Sequence, residues 1–284
     1  MAAIRLGLIG DNIARSRSPS LHKEAGRLCG LDISYDRLIP ADLGLDFDAA
    51  FDRCVNLGYR GINVTYPYKE TVVPRLTVPD AQTARIGACN TVVFDSVRPQ
   101  GHNTDFTGFV EAFRSTFGAA TGPGRVAMVG AGGVGRAIAF AIGRLGAREL
   151  RIFDTDAKKA ERLAAALSKV EISMDVTAAP TIGAATDGVD GLVNCTPIGM
   201  VGYPGTPIAA EHMARARWAF DAVYTPVNTE FLGLARDAGC AVMSGYELFF
   251  HQGIGAFRHF TNYDVDAASL RRALGEAGLE VVEA

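Results

Sequence analysis

Three glycines at GxGxxG spacing mark the stretch in which residue type and spacing point most directly to chemistry. Gly130, Gly132 and Gly135 follow a short apolar run that starts at Val126, and apolar residues then recur at helical intervals. In a strand, turn and helix of this kind the glycines allow a sharp turn, close approach of backbone to a pyrophosphate, and close packing of helix on strand. We therefore predict a dinucleotide site, with an ordinary glycine-rich turn before a buried helix as the alternative. The predicted dinucleotide site consists of Gly130, Ala131, Gly132, Gly133, Val134 and Gly135.

An acidic side chain ends the second predicted strand of the same unit. Asp154 lies 19 residues after Gly135. A carboxylate there can accept hydrogen bonds from the ribose hydroxyls of adenosine, whereas it would repel a 2′-phosphate. The sequence therefore favours NAD over NADP, although Lys158 and Lys159 nearby partly offset the repulsion. The alternative is that Asp154 only supports a turn or caps the following helix.

Two further polar residues stand where predicted strands give way to loops. Lys69 ends the run Asn63-Val64-Thr65-Tyr66-Pro67-Tyr68-Lys69, and Asp105 ends Asn103-Thr104-Asp105. Loops at the carboxyl ends of strands are where α/β proteins bind ligands. Taken singly, each residue has a plainer explanation, Lys69 as a solvated surface lysine and Asp105 as a helix N-cap.

Gln252 shares a helical face with Leu248, Phe249 and Ala256, so its amide faces packed surface and needs a polar partner in the protein or in a ligand. The five histidines show no metal-ligand spacing, and the five cysteines are widely spaced without a CxxC pattern. We therefore predict no metal site and no disulfide framework.

Strands and helices alternate around these residues. Strands are predicted at residues 4–9, 33–39, 61–64 and 91–94, with one helix capped by Ser18 and another that starts at Phe47. Such alternation implies a largely parallel sheet. Residues 118–124, rich in Gly, Ala, Thr and Pro, are typical of a linker into the nucleotide-binding unit, which begins with the strand before Gly130.

Composition narrows the class of protein. A chain of 284 residues suits one large domain or two of ordinary size, and the position of the glycine motif near the middle favours two. The formal net charge of -3, with basic residues scattered, gives no field for holding a nucleic acid. The sequence lacks an apolar run of the roughly 20 residues that would cross a bilayer, and Asp11 interrupts the first apolar run, unlike a signal peptide. We expect a cytoplasmic protein that contacts no membrane.

Taken together, these stretches resemble the shikimate dehydrogenase family, including its quinate/shikimate dehydrogenase branch. The resemblance runs nearly end to end and rests on Ser16-Arg17-Ser18-Pro19-Ser20-Leu21-His22, Asn63 to Lys69, Gly87 to Thr91, Asn103 to Asp105, Gly130 to Gly135, Asn194 to Met200, Asp221 to Pro226, and Gly245 followed by His251-Gln252. It implies an α/β fold of two domains. Residues 1–104 would form an α/β substrate-binding domain, to which C-terminal helices of residues 245–284 return, and residues 105–244 a Rossmann NAD-binding domain.

The resemblance also implies roles for single residues. Lys69 would be the general acid/base and Asp105 its partner, because an alcohol that gives up a hydride must also lose its hydroxyl proton. The hydroxyls and carboxylate of a cyclohexene acid would be held by Ser16, Ser18, Thr65, Asn90, Tyr224 and Gln252. The nicotinamide half of the cofactor would be lined by Thr196, Pro197, Gly199, Val223 and Gly245. Lys159 would contact the adenosine side.

Two departures from the common family pattern concern specificity. Asp154-Thr155-Asp156 replaces the usual Asn-Arg-Thr, which again favours NAD. Gly10-Asp11-Asn12-Ile13 resembles the quinate/shikimate branch, whereas Ser18 stands where quinate users often have threonine, so the choice between the two acids stays open.

The expected activity is reversible hydride transfer between NAD and the ring hydroxyl of shikimate, with quinate as a candidate second substrate. The family's usual place is aromatic amino acid biosynthesis. The alternatives are a dehydrogenase for an aminoshikimate-like acid and a non-catalytic NAD-binding regulatory homologue. The expected partner is a small-molecule substrate, and the expected assembly is a monomer or a homodimer.

Overall fold

The structure is a computed structural model that describes residues 3–170 and 173–276. The chain divides into two compact units, one formed by Met1–Thr104 and Gln252–Ala284, the other by Asp105–His251. The predicted return of the C-terminus includes residues 277–284, which lie outside the described residues. Within the described ranges, no helix combines the length and apolar character needed to cross a membrane.

The elements alternate along most of the chain. The strands are Ile4–Ile9 (β1), Ile33–Leu38 (β2), Gly61–Val64 (β3), Thr91–Val93 (β4), Gln100–His102 (β5), Arg125–Val129 (β6), Glu149–Phe153 (β7), Asp175–Ala178 (β8), Gly191–Asn194 (β9), Trp218–Asp221 (β10) and Ala241–Met243 (β11). The α-helices are Ser18–Leu28 (α1), Phe47–Asn56 (α2), Ala81–Ile86 (α3), Thr104–Phe117 (α4), Gly133–Arg144 (α5), Ala157–Leu167 (α6), Ile182–Thr186 (α7), Glu230–Asp237 (α8), Gly245–Thr261 (α9) and Ala267–Glu276 (α10).

The sheet of the first unit has the strand order β2-β1-β3-β4-β5. Its first three strands are parallel, whereas β4 runs antiparallel to both of its neighbours. The predicted parallel pairing is confirmed for β1, β2 and β3, and β4 is the exception. The connection from β4 to β5 contains no helix, and so short a connection suits an antiparallel pair rather than a parallel crossover.

Helix α1 starts one residue earlier than the predicted cap implies. Arg17 is the N-cap and makes no side-chain capping bond, while Ser18 is already helical, so the prediction of Ser18 as N-cap is wrong. Instead, the hydroxyl of Ser16 accepts from the backbone N–H of Ser18 at 3.3 Å. Helix α9 packs closely on α1, because a Cβ added to Gly253 would lie 2.7 Å from a methyl carbon of Leu21.

The sheet of the second unit is parallel throughout its described strands, in the order β11-β10-β9-β6-β7-β8. Strand β6 pairs with both β7 and β9, so the chain leaves β6 toward one side and crosses to the other at β9. Ligands of such sheets bind at the carboxyl ends of the strands, at this reversal of order. Strands β8 and β11 were not predicted, because β8 carries no continuous apolar run and β11 is only three residues long.

Helix α4 belongs to the second unit from Asp105 onward. Its Phe109 meets the ring of Phe220 at 5.0 Å between centroids, and its Phe113 meets Trp218 at 5.1 Å. Residues 118–124 therefore connect two elements of the same unit. The prediction that this stretch leads into the nucleotide-binding unit from outside is wrong, because the aromatic face of α4 already packs on that unit's sheet.

Candidate active site

Two loops leave the sheet of the first unit side by side at the carboxyl ends of β1 and β3. Ile9 and Val64 are register partners in these parallel strands, so Gly10 and Thr65 follow at the same edge. The backbone N–H of Thr65 donates to the carbonyl of Ile9 at 2.9 Å. A Cβ added to Gly10 would lie 2.3 Å from the Thr65 methyl group, so the close approach of the loops requires glycine there.

Lys69 lies on the loop that follows β3, and its side chain is partly buried. The neighbouring Tyr68 anchors this loop, because its hydroxyl donates to Asp11 at 2.6 Å and its ring stacks on Phe47 at 4.7 Å. The carbonyl of Lys69 accepts from the backbone N–H of Cys89 at 2.8 Å. The main chain of Lys69 is thus tied to the residue that directly precedes Asn90.

Asn90 and Gln252 meet in the first unit although 162 positions separate them. The Asn90 amide nitrogen donates to Gln252 Oε1 at 3.4 Å and to the Thr104 hydroxyl at 3.0 Å. Asn90 Oδ1 accepts from the backbone N–H of Thr104 at 2.7 Å. The polar partner that Gln252 was expected to need is therefore found within the protein, beside another predicted substrate residue.

Ser16 and Ser18 form a second polar pair in the first unit. Both are buried, and the Ser16 hydroxyl donates to the Ser18 hydroxyl at 3.1 Å. The guanidinium of Arg37 donates to the Ser16 carbonyl at 2.6 and 3.2 Å and so holds the turn before α1 in place. Sequence reasoning missed Arg37, whose only signal is a charge within the predicted strand β2.

Asp105 and Tyr224 belong to the second unit. Because α4 starts at Thr104, Asp105 lies inside the first turn of the helix rather than at its N-cap, and it is 4% exposed. A carboxylate in this position is favoured by the helix dipole. The ring of Tyr224 stacks on Phe249 at 5.0 Å between centroids.

The glycine turn has the geometry that its spacing predicts. Gly130 has a φ of +100°, and a Cβ there would lie 2.8 Å from the Cys195 carbonyl group. A Cβ on Gly135 would lie 2.2 Å from the Gly130 oxygen, so α5 packs against its own turn. Gly132 is the N-cap of α5 without a side-chain cap, and no atom lies within 4 Å of its added Cβ. A helix N-terminus without a side-chain cap, with open space at Gly132, suits a pyrophosphate.

Asp154 contacts the glycine turn directly. Its Oδ2 accepts from the backbone N–H of Ala131 at 2.8 Å, and its Oδ1 accepts from that of Asp156 at 2.9 Å. The carboxylate thus supports two turns, as the alternative interpretation held, and it keeps further lone pairs for ribose hydroxyls. Lys159 is exposed on α6.

Two buried polar residues hold the loops predicted to line the nicotinamide. Asn194 and Asp221 are register partners at the ends of β9 and β10, and Asn194 Nδ2 donates to Asp221 Oδ1 at 2.9 Å. Asn194 also donates to the Ile198 carbonyl at 3.0 Å and accepts from the backbone N–H of Thr196 at 2.8 Å. The side chain of Asn194 therefore holds the backbone of the loop that contains Thr196, Pro197 and Gly199.

Asp221 fixes the neighbouring loop in the same way. It accepts from the backbone N–H of Val223 at 2.9 Å and from the Thr229 hydroxyl at 2.6 Å. Burial raises the pKa of Asp221 to about 6, against the effect of these donors. Gly245 lies so close that an added Cβ would be 2.6 Å from the Val223 carbonyl. Sequence reasoning assigned no role to Asn194 or Asp221, although a polar residue at the end of an apolar strand was a usable signal.

No group of three or more His, Cys, Asp or Glu side chains is arranged to hold a metal ion among residues 3–170 and 173–276. The candidate residues of the two units offer backbone N–H groups, hydroxyls, amides and carboxylates, together with the amine of Lys69. Such groups can bind phosphate, sugar hydroxyls and a polyhydroxylated acid.

Comparison with known proteins assigns the chain to a family. The family model of the shikimate dehydrogenase substrate binding domain matches residues 8–92. A quinate/shikimate dehydrogenase (NAD(+)) of Corynebacterium glutamicum is 36% identical over 95% of this chain and 97% of its own. A shikimate dehydrogenase (NADP(+)) of Pseudarthrobacter chlorophenolicus is 38% identical over 94% of this chain and 92% of its own.

Among solved structures, the quinate dehydrogenase from Corynebacterium glutamicum in complex with NAD superimposes with a TM-score of 0.85. It is 34% identical, and the match covers 96% of this chain and 99% of that one. Each of these proteins matches over nearly its full length, and the solved structure shares the fold of this chain. The chain belongs to the shikimate dehydrogenase family.

Proposed function

We propose that the protein oxidises the ring hydroxyl of shikimate reversibly with NAD, and that quinate is a second substrate. The observation that carries this proposal is the hydrogen bond between Asn90 and Gln252, which brings two distant amides to the loop edge that also holds Lys69. A cluster of amides and hydroxyls is suited to an acid with several hydroxyl groups. The nearly full-length similarity to a quinate/shikimate dehydrogenase supports the same substrate class.

In this proposal Lys69 takes the proton of the reacting hydroxyl, and Asp105 is the partner of Lys69. Bound nicotinamide supplies the acceptor for the hydride. The remaining hydroxyls and the carboxylate of the acid are held by Ser16, Ser18, Thr65, Asn90, Tyr224 and Gln252. The first unit provides most of these groups, and the second unit, with its glycine turn, holds the dinucleotide.

The preference for NAD is supported by Asp154. Its carboxylate stands at the glycine turn, and the two residues that follow are threonine and aspartate rather than arginine. An anionic side chain repels a 2′-phosphate and accepts hydrogen bonds from ribose hydroxyls. Since one relative is named for NAD and another for NADP, the ratio of the two rates decides this part of the proposal.

A grid of initial rates tests the proposed function: shikimate, quinate and an amino-substituted analogue of shikimate, each with NAD and with NADP, followed by NADH or NADPH absorbance. The expected result is turnover of shikimate with NAD, and a lower kcat/KM with NADP. A faster rate with NADP at matched concentrations would contradict the cofactor assignment alone. A much higher kcat/KM for an amino-substituted acid would favour the aminoshikimate alternative. Tight NAD binding without turnover of any acid would favour the regulatory homologue.

A further inference from the structure

A chain of buried polar side chains runs through the first unit to Asn90. The side chains of Tyr35, Asn63, Thr91 and Asn90 are all at most 6% exposed. Tyr35 meets Asn63 at 2.8 Å, Asn63 meets Thr91 at 3.2 Å, and Thr91 meets Asn90 at 3.1 Å. Buried polar groups cost free energy unless they are paired, so a connected chain of this kind specifies one arrangement.

The orientation of the Asn63 amide is fixed by a backbone carbonyl. Asn63 Nδ2 lies 3.1 Å from the carbonyl oxygen of Asn90, which can only accept. The nitrogen must therefore face Asn90 and Thr91, and the Asn63 oxygen faces Tyr35. The Tyr35 hydroxyl donates to it.

The orientation of the Asn90 amide is fixed by a backbone N–H. The amide of Thr104 can only donate, and it lies 2.7 Å from Asn90 Oδ1. The Thr91 hydroxyl receives a hydrogen bond from Asn63 and therefore has its own proton free to donate to the same Oδ1. With this assignment every donor in the chain points from Tyr35 toward Asn90, and the Asn90 NH₂ group is turned toward the Thr104 hydroxyl and Gln252.

We infer that Asn63 and Thr91 are positioning residues that hold Asn90 as a hydrogen-bond donor to the substrate. Of the two contacts of the Asn90 NH₂ group, the one to Gln252 is long, at 3.4 Å, so a ligand oxygen can replace it. The group of the substrate that faces Asn90 is then an oxygen that accepts a hydrogen bond, and an ammonium group there is disfavoured because two donors would face each other. This inference rests on the proposed function.

Thr91→Val and Thr91→Ser form a matched pair that tests the positioning role. Valine has nearly the same shape but cannot donate to Asn90, whereas serine can. We expect the KM for shikimate to rise about 5- to 10-fold in Thr91→Val with kcat within about twofold, and Thr91→Ser to restore the wild-type KM. Global destabilisation would lower the active fraction, and hence kcat, in place of KM. An unchanged KM in Thr91→Val, or a serine variant as impaired as the valine variant, would overturn the inference.

Asn90→Asp tests the direction of the hydrogen bond. The aspartate keeps an oxygen for the Thr104 N–H but puts an acceptor in the place of the NH₂ group. We expect kcat/KM for shikimate to fall about 100-fold or more, as when a donor to a substrate oxygen is replaced by a repelling group. Retention of shikimate affinity, measured by calorimetric titration, would mean that Asn90 acts as an acceptor and would refute the assigned direction.

The wild-type protein separates failure of this inference from failure of the proposed function. If the wild type neither binds nor oxidises shikimate or quinate, the proposed function fails and the inferred substrate contact fails with it. If the wild type is active and Thr91→Val has the same KM, only the positioning role fails.

Discussion

The backbone N–H of Ala131, inside the glycine turn, donates to the carboxylate of Asp154 at 2.8 Å. Val129 and Phe153 are register partners in β6 and β7, so the turn and the acidic residue emerge at the same edge of the sheet. One side chain thus ties the glycine turn to the next strand, and its remaining lone pairs are available to the ribose hydroxyls that we propose it binds. A single substitution therefore affects both the shape of the turn and the choice of cofactor.

Asp154→Ala is expected to weaken NAD binding about 10-fold, because the turn loses its anchor and the ribose loses an acceptor. Binding of NADP should change less, so the dissociation constant for NADP divided by that for NAD should fall. Titration calorimetry with each cofactor measures both. Asp46→Ala is the matched control, since Asp46 also accepts a backbone N–H, that of Ala49 at 2.8 Å, but caps α2 in the first unit. An unchanged NAD affinity in Asp154→Ala would contradict the assignment.

Lys69→Met should lower kcat/KM for shikimate by about 10²- to 10⁴-fold, the usual effect of removing a general acid/base. Methionine keeps most of the side-chain length but cannot take a proton. NAD affinity should not change, because the glycine turn belongs to the other unit. The control is Lys23→Met, which changes an exposed lysine on α1. If Lys69→Met kept near-normal turnover, a group other than Lys69 would have to take the proton of the reacting hydroxyl, and the assigned role would be wrong.

Asp221→Asn should stabilise the protein more at pH 8 than at pH 5. The folded-state pKa of Asp221 is about 6, above the ordinary 3.8, so the buried carboxylate lowers stability as pH rises through that range. Asparagine can keep its oxygen for Asn194 and Val223 and turn its nitrogen to the Thr229 hydroxyl. Calorimetric melting temperatures of both proteins at both pH values measure the difference. Equal shifts at pH 5 and pH 8 would show that charge burial is not the cause.

His22 predicts a pH dependence of opposite sign. This side chain is 1% exposed and stacks on Tyr35, and burial lowers its pKa to about 3, opposed by a hydrogen bond with Asn63. In the unfolded chain His22 binds a proton below about pH 6.5, whereas in the folded chain it stays neutral down to about pH 3. The contribution of neutral His22 to stability is therefore complete above pH 6.5 and is lost as pH falls toward 3.

On lowering the pH from 7 to 5, the free energy of unfolding should therefore fall less in His22→Phe than in the wild type. The linkage relation gives a difference of about 2 kcal/mol between the two decreases. Phenylalanine keeps an aromatic ring against Tyr35 but has no proton to bind. Unfolding free energies from denaturant titrations at the two pH values provide the comparison. Since Asp221 is the same in both proteins, its opposite contribution cancels in the difference. Parallel pH profiles would rule out His22 as the titrating group.

Local signals in the sequence located most of the individual elements. The glycine spacing predicted the turn at Gly130 because a positive φ and close backbone contacts exclude other residues there. Periodic apolar residues predicted α2, since one face of the helix must be buried. Strand β8 was missed because its burial is weak along its whole length, and the Ser18 cap failed because Ser16 supplies the hydroxyl instead.

The sequence by itself determined the alternating elements, the dinucleotide turn and the family, because these depend on neighbouring residues and on motif order. Only the tertiary structure decided the antiparallel edge at β4, the Asn90 contact with Gln252, and the pairing of Asn194 with Asp221. Such relationships depend on strand register and side-chain direction between distant parts of the chain. The spacing of residues along the sequence does not specify them. The direction of the hydrogen bonds at Asn90 therefore follows only from the folded structure, in which its partners lie next to it.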